Sequence, residues 1–334
     1  MTIRWGVVGA GRIAGRFVTD ARANGITVDA VASRDSARAQ AFADRHGLPR
    51  AHGGYDHLFA SDVDAIYIAT PQPFHAEQAC AALVAGKAVL VEKSFTATSV
   101  EAQSVIAEAG RLGRFVMEAM WMRFQPSVRD LVRVVERGDI GAVREVITHH
   151  YERLDDDPAG RHADPALGGG VLSDLGVYGI SLASMLAGPP RGVSTVGTLS
   201  GRGVDTSATV SIVHDSARST VHASMEGPGP NAAAIIGSDG YIALEPFWFS
   251  GSGFTVYEAS RTGAVVMRRP VPAGESGLHH QAFEVERCLR EGLLESPIMT
   301  LAETLETTRL REAAVRQLSG ARAWSAMSVS DTRR

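Results

Sequence analysis

Between residues 3 and 23 the chain reads strand, glycine turn, helix, and that order constrains everything after it. Ile3-Arg4-Trp5-Gly6-Val7-Val8 runs directly into Gly9-Ala10-Gly11-Arg12-Ile13-Ala14, a G-x-G-x-x-A sequence that opens an amphipathic helix ending near Ala23. Small residues at these positions let the main chain approach a ligand closely, and the helix N-terminus presents its free N–H groups to negative charge. Alone, such a motif is weak. Between a strand and a helix, with a second strand over 27–32, it specifies a parallel α/β sheet that binds a dinucleotide pyrophosphate at Gly9, Gly11, Arg12 and Ile13.

The alternation continues to about residue 120, with helices over 37–46, 76–85 and 99–109 and strands over 50–52, 63–69, 88–91 and 114–118. Such a pattern builds a doubly wound sheet whose ligands sit at the carboxyl ends of its strands. Three stretches reach that edge. The second strand ends in Ser33-Arg34-Asp35, where a hydroxyl plus a guanidinium suits a 2′-phosphate and hence NADP. Asp35 starts the next helix as a cap, although a shift of one residue would bring it to the ribose of NAD. Thr70-Pro71-Gln72-Pro73-Phe74-His75 is stiffened by two prolines and suits a cofactor groove, with His75 a groove residue or a packing residue at the helix start. Finally, the buried strand Ala88-Val89-Leu90-Val91 ends in Glu92-Lys93-Ser94, which sets a partly desolvated ammonium over the crevice.

At Met120-Trp121-Met122-Arg123 the alternation breaks, giving a dinucleotide domain over 1–122 and a second, α+β domain over 123–334. A strand over 141–151 carries His149 and His150 on opposite faces, a poor metal pair. Asp155-Asp156-Asp157-Pro158 reads as a solvated loop, and no spacing along the chain resembles a metal site. Gly168-Gly169-Gly170 opens a helix over 171–182 in which Asp174 and Tyr178, four apart, share one face among apolar neighbours. A buried carboxylate there needs a partner. After Gly188-Pro189-Pro190, seven short alternating segments predict an open, mostly antiparallel sheet, and helices over 279–291 and 300–318 close the chain. His279 and His280 start the first of these, facing a substrate or solvent, and a frayed tail is expected from about Ser325.

The chain of 334 residues is long for one core, and its 45% hydrophobic and 21% charged residues are ordinary for a globular protein. A net charge of −4 without basic blocks argues against nucleic acid and membrane surfaces as partners. Cys80 and Cys288, far apart and each in a helix, read as reduced thiols, and no signal peptide precedes the first strand, so a cytoplasmic location is expected.

The glycine motif, the Glu-Lys at a strand end and the D-x-x-x-Y after a glycine loop together resemble the Gfo/Idh/MocA oxidoreductase family over nearly the whole chain. Met117-Glu118-Ala119-Met120-Trp121-Met122-Arg123-Phe124 and Tyr178 look most like its dimeric dihydrodiol dehydrogenase and NADP-dependent xylose 1-dehydrogenase branch. Ser94 stands where the family has proline, and Gln72 where it commonly has asparagine. The resemblance implies a Rossmann domain with an open antiparallel sheet, NADP or NAD as cofactor, a homodimer or homotetramer, and hydride transfer at a carbon-bound hydroxyl of a sugar or cyclic diol. A keto-sugar reductase, free or nucleotide-linked, and a cofactor-binding sensor without turnover are the alternatives.

Hydride transfer from an alcohol also releases the hydroxyl proton. Tyr178 is the expected acid/base, Lys93 its activator, and Asp174 the group that orients the lysine or a substrate hydroxyl. Tyrosine titrates about three units above neutrality, a gap of about 4 kcal/mol. One ammonium about 4 Å away, at an effective dielectric of about 20, supplies that much. Trp121 is expected to stack on nicotinamide or substrate, or to pack in the core; Glu92 is expected beside the cofactor.

Overall fold

The protein is described by a computed structural model covering residues 2–153, 160–260, 263–271 and 277–320. The acidic loop at Asp155–Asp157 and the tail from Ser325 lie outside the described residues. Six parallel strands form the first sheet: β1 (Arg4–Val8), β2 (Thr27–Ser33), β3 (Arg50–Gly53), β4 (Ala65–Ile68), β5 (Ala88–Glu92) and β6 (Val116–Ala119), in the order 3-2-1-4-5-6. Helices α1 (Arg12–Ala23), α2 (Ser36–His46), α3 (Tyr55–Phe59), α4 (His75–Val84) and α5 (Ser99–Leu112) make the crossovers. The order of strands reverses between β1 and β4, and the crevice opens at their carboxyl ends. Every residue of β4, β5 and β6 is buried, which is why these strands read as continuous apolar runs.

Helix α6 (Pro126–Glu136) leads to an eight-stranded sheet of β7 (Val143–Tyr151), β8 (Gly192–Leu199), β9 (Asp205–Val213), β10 (Arg218–Ser224), β11 (Ala233–Gly237), β12 (Gly240–Leu244), β13 (Phe254–Glu258) and β14 (Val265–Arg269). Their order is 14-13-12-11-7-10-9-8, antiparallel except for the parallel pair β7–β10. Helix α7 (Val177–Ala187) packs on one face of this sheet together with the last helix, α9 (Leu301–Gly320). The run from Pro165 to Ala187 is long and apolar enough to span a bilayer, but most of it is buried inside the protein as a core helix. Along β7, His150 faces the helices and His149 faces the other side with Tyr151 and His222, as alternation requires.

The two domains are stitched together by their helices. Helix α8 (His279–Arg290) returns to the first domain, where Trp5 Nε1 donates to Glu286 (3.2 Å). His279, one of two histidines expected to face substrate or solvent, instead turns into this seam: its main-chain N–H donates to Asp20 (2.8 Å) and its ring Nδ1 lies 3.0 Å from the same carboxylate. Arg123, fully buried, donates to Ser181 and Glu303 and so ties the short turn after β6 (Trp121–Phe124) to α7 and α9. A guanidinium removed from water needs this complete a set of acceptors.

Candidate active site

A cavity of about 750 Å³ runs along the carboxyl edge of the first sheet and under the second domain. Its floor is the glycine turn. Gly9 has φ +103°, and a Cβ there would lie 2.9 Å from the carbonyl oxygen of Ala69, so only glycine lets β1 pass the loop after β4. Gly11 is the N-cap of α1 and offers no side-chain acceptor, and a Cβ on it would point into open space. The first N–H groups of α1, from Arg12 and Ile13 onward, therefore face the cavity without a side-chain cap. These features fit a pyrophosphate, and no metal-holding group of three His, Cys, Asp or Glu occurs among the described residues.

At the tip of β2, Ser33 and Arg34 line the same cavity, with the Arg34 guanidinium 5.6 Å from the Phe74 ring centre. The Asp35 carboxylate accepts from the N–H groups of Ala37 (2.9 Å) and Arg38 (3.2 Å) and is thereby used as the cap of α2. Arg38, in the first turn of α2, adds a second guanidinium to this end of the cavity.

On the opposite wall, the loop after β4 is fastened to the segment after β5. The His75 ring nitrogens lie 3.1 Å from the Phe95 carbonyl and 2.8 Å from that of Thr70, and burial lowers its pKa. His75 therefore lines the cavity as expected but is also the packing residue at the helix start, with both ring nitrogens turned to main-chain carbonyls rather than into the groove. Thr70 and Pro71 line it as expected, and Gln72 reaches across to the Thr96 carbonyl (2.8 Å). Glu92 also points inward, accepting from the Tyr67 hydroxyl and from the Lys93 N–H (3.1 Å), and burial raises its pKa.

Lys93 crosses between the domains. Its Nζ donates to the Asp174 carboxylate (2.9 Å) and to the Asp174 carbonyl (2.8 Å), and the Lys93–Ser94 peptide is cis. Asp174 also receives Arg161 (3.1 Å), with the His162 ring 3.4 Å away. Burial works against both charges. For Asp174 it is outweighed by Lys93 and Arg161, which hold the carboxyl well below the usual range. For Lys93 burial is outweighed by the charges of Asp174, Tyr178 and Glu92, and its pKa is raised.

Two expectations change here. Residues Leu172–Gly176 form a wider π-turn before α7 rather than a regular α-helix, so Asp174 and Tyr178 are not simply stacked on one α-helical face. Nor does Lys93 hydrogen-bond the Tyr178 hydroxyl: its ammonium lies 5.1 Å from the ring centre. That hydroxyl instead accepts from Trp121 Nε1 at 2.7 Å. Burial raises the Tyr178 pKa despite the opposing effects of Lys93 and the Trp121 N–H, with the charges of Glu92 and, to a lesser degree, Asp174 adding to the rise. The expected lowering by about three units does not occur in this arrangement.

Sequence reasoning missed the wall made by His150, Phe249, Arg161 and His162. His150 stacks on Phe249 (centroids 3.7 Å apart), and burial pushes its pKa down to about 3, leaving it neutral. The alternation along β7 signalled an inward His150, but nothing local signalled Phe249 or the loop bearing Arg161.

Residues 3–120 match the model of the oxidoreductase family with an NAD-binding Rossmann fold, and residues 128–243 match the GFO/IDH/MocA C-terminal domain. The chain belongs to the GFO/IDH/MocA family. Trans-1,2-dihydrobenzene-1,2-diol dehydrogenase of Bos taurus is 35% identical over 322 residues, covering 91% of this chain and 93% of that protein. The Homo sapiens enzyme of the same name is 33% identical over 322 residues, with the same coverage of both. Among solved structures, a 3-ketoreductase from Actinomadura kijaniata in complex with NADP and TDP-benzene superposes with a TM-score of 0.82 at 26% identity, covering 95% of this chain and 98% of that one. The family places this chain among the NAD(P)-dependent dehydrogenases and reductases.

Proposed function

We propose that this protein is an NADP-dependent dehydrogenase acting on a hydroxyl-bearing carbon of a sugar or cyclic diol. The observation that carries the reading is the convergence of Lys93, Asp174 and Tyr178 on the cavity that also contains the glycine turn. A bound nicotinamide supplies the hydride acceptor or donor. Ser33, Arg34 and Arg38 present a hydroxyl and two cations where the adenosine ribose would lie, and Asp35 is engaged elsewhere, which favours a 2′-phosphate over a free diol. The aromatic surfaces of Trp121, Phe249 and Tyr178 suit one face of a small ring, while Arg161, His162 and Asp174 suit its hydroxyl groups.

In the oxidative direction the substrate hydroxyl would give its proton to the deprotonated Tyr178 oxygen, which the Trp121 N–H steadies, as hydride leaves the same carbon for the nicotinamide; that form is reached as pH rises. In the reductive direction the protonated Tyr178 returns that proton to the carbonyl oxygen. Lys93 adds positive charge beside the developing oxyanion, and Asp174 fixes the ammonium in place. The raised Tyr178 pKa keeps the acid form at neutral pH, which supports a second reading, reduction of a keto-sugar.

The relatives' names support the diol, and the NADP-bound 3-ketoreductase supports the keto-sugar. The uncovered face of the second sheet, with exposed Val196, Val213 and Val266, supports a homodimer or homotetramer, and two free cysteines support a cytoplasmic setting. Turnover assays with trans-1,2-cyclohexanediol, D-xylose and D-glucose, each with NADP and NAD, test the reading. Nicotinamide reduction with at least one of them, faster with NADP, is the expected result. Cofactor binding with no turnover in either direction would instead indicate a sensor.

A further inference from the structure

Lys93 and Asp174 belong to different domains, and their meeting depends on two main-chain segments keeping register: 93–97 after β5, and 172–176 before α7. Arg311, in α9, touches both. One terminal nitrogen donates to the Ser173 hydroxyl (2.9 Å), and the other donates to the carbonyls of Thr96 (2.8 Å) and Ala97 (2.8 Å). The Ser94 hydroxyl closes the seam by donating to the Ser173 carbonyl (2.9 Å). The carboxylate of Glu118, in β6, braces the first segment by accepting from the Phe95 N–H (3.0 Å).

Arg311 is 4% exposed, and Glu118 is 1% exposed. A buried arginine has no solvation to gain here, and lysine, with one compact ammonium, cannot span three acceptors with the same planar fork. Its Nε and the second oxygen of Glu118 have no hydrogen-bond partner among the described residues, so the groups are held at some cost. The N-terminal end of the second segment is pinned as well. Asp205 accepts from the Leu172 N–H (2.7 Å), and Gly170 is indispensable beside it, since a Cβ there would lie 2.2 Å from an Asp205 oxygen.

We propose that Arg311 is a positioning residue for catalysis: it touches neither cofactor nor substrate but sets the register in which Lys93 meets Asp174. This rests on reading that pair as catalytic. Loss of the fork lets the segments slide, and an ångström of misplacement can lower a rate by up to ~10²-fold. Binding of the cofactor, which uses the glycine turn and the tip of β2, is left intact.

The test compares wild type, Arg311→Lys, Ser173→Ala and Lys93→Met, assayed with the substrate the wild type turns over fastest and well below each variant's melting temperature. Arg311→Lys should lower kcat by about 30-fold while NADP binds at one site per chain with its Kd within about threefold. Ser173→Ala, which deletes one acceptor and keeps the arginine, should lower kcat by about fivefold. The acid limb of the kcat profile should also move up in both, because Asp174, faced by Lys93, Arg161, His162 and Tyr178, is held less closely by Lys93 once the segments slide. A simple loss of folded protein would reduce NADP stoichiometry and leave that limb in place. Unchanged kcat and pH profile in both variants, with Lys93→Met inactive, would overturn the role of Arg311 alone. Lys93→Met retaining turnover would overturn the catalytic reading and this proposal with it.

Discussion

Two turns face each other across the cavity, Gly9–Gly11 and Gly168–Asp174, and they are held in opposite ways. The first is local. Its shape follows from a buried strand, a positive φ at Gly9, and a helix that begins immediately afterwards. The second is held from far along the chain: Lys93 lies 81 residues from Asp174, Asp205 lies 33 from Leu172, and Arg311 lies 138 from Ser173. The cofactor end of the site is thus a property of one motif, and the chemical end is a property of the assembled fold. Mutations at the cofactor end, in the glycine turn or at the tip of β2, should change dinucleotide binding. Mutations at the chemical end should change rate at constant binding.

The largest effect is expected on the chemical side. Tyr178→Phe removes the acid/base hydroxyl and keeps the ring under Lys93, so kcat should fall by about 10³-fold, within the range for one acid/base group, while NADP affinity holds. Steady-state rates beside NADP titration check this; equal losses in both would erase the contrast between the two turns. Burial keeps the wild-type hydroxyl protonated at neutral pH, so oxidation should also accelerate as pH rises into the alkaline range.

A smaller effect is expected on the cofactor side. Ser33→Asp with Arg34→Ala should reverse a preference for NADP of at least about tenfold, which one charge-assisted contact can supply. The ratio of kcat/KM for the two dinucleotides measures it. A wild type that prefers NAD would show that the Asp35 cap opens to bind the ribose.

The smallest concerns stability in the seam. Burial raises the Glu118 pKa to about 7, against the Phe95 N–H and the charges of Arg123 and Arg311, which lower it. A group that binds its proton more tightly when folded stabilises the protein fully below its unfolded pKa and loses that contribution as pH rises through the folded value. The melting temperature should therefore fall between pH 4.5 and 7 in wild type, by about 2 °C more than in Glu118→Gln. Asp205, raised by burial to about 6, contributes a similar slope that the variant retains.

The same division explains what the sequence made legible. The strand–turn–helix at residue 3, the strand ending in Lys93, the cap at Asp35 and the change to an antiparallel sheet after Pro190 all follow from local periodicity and turn chemistry. That a buried Asp174 needs a partner is legible, but the sequence leaves Lys93 and a substrate hydroxyl both open; the fold brings Lys93 to it. The consequence for Tyr178 is not legible, because an ammonium paired with Asp174 near a ring acts differently from a free one beside a hydroxyl. The π-turn, the inward rotation of His279 toward Asp20 and the Phe249 wall depend on tertiary contacts that leave no periodic trace.

Lys93→Met tests the central claim most directly, since Lys93 carries the first domain's charge to Asp174 at the chemical end of the site. The measurement is nicotinamide turnover together with NADP affinity for the same protein sample. The account predicts turnover at least about 10² lower than wild type with affinity within a few-fold. Retained turnover, or affinity and turnover lost in equal proportion, would contradict it.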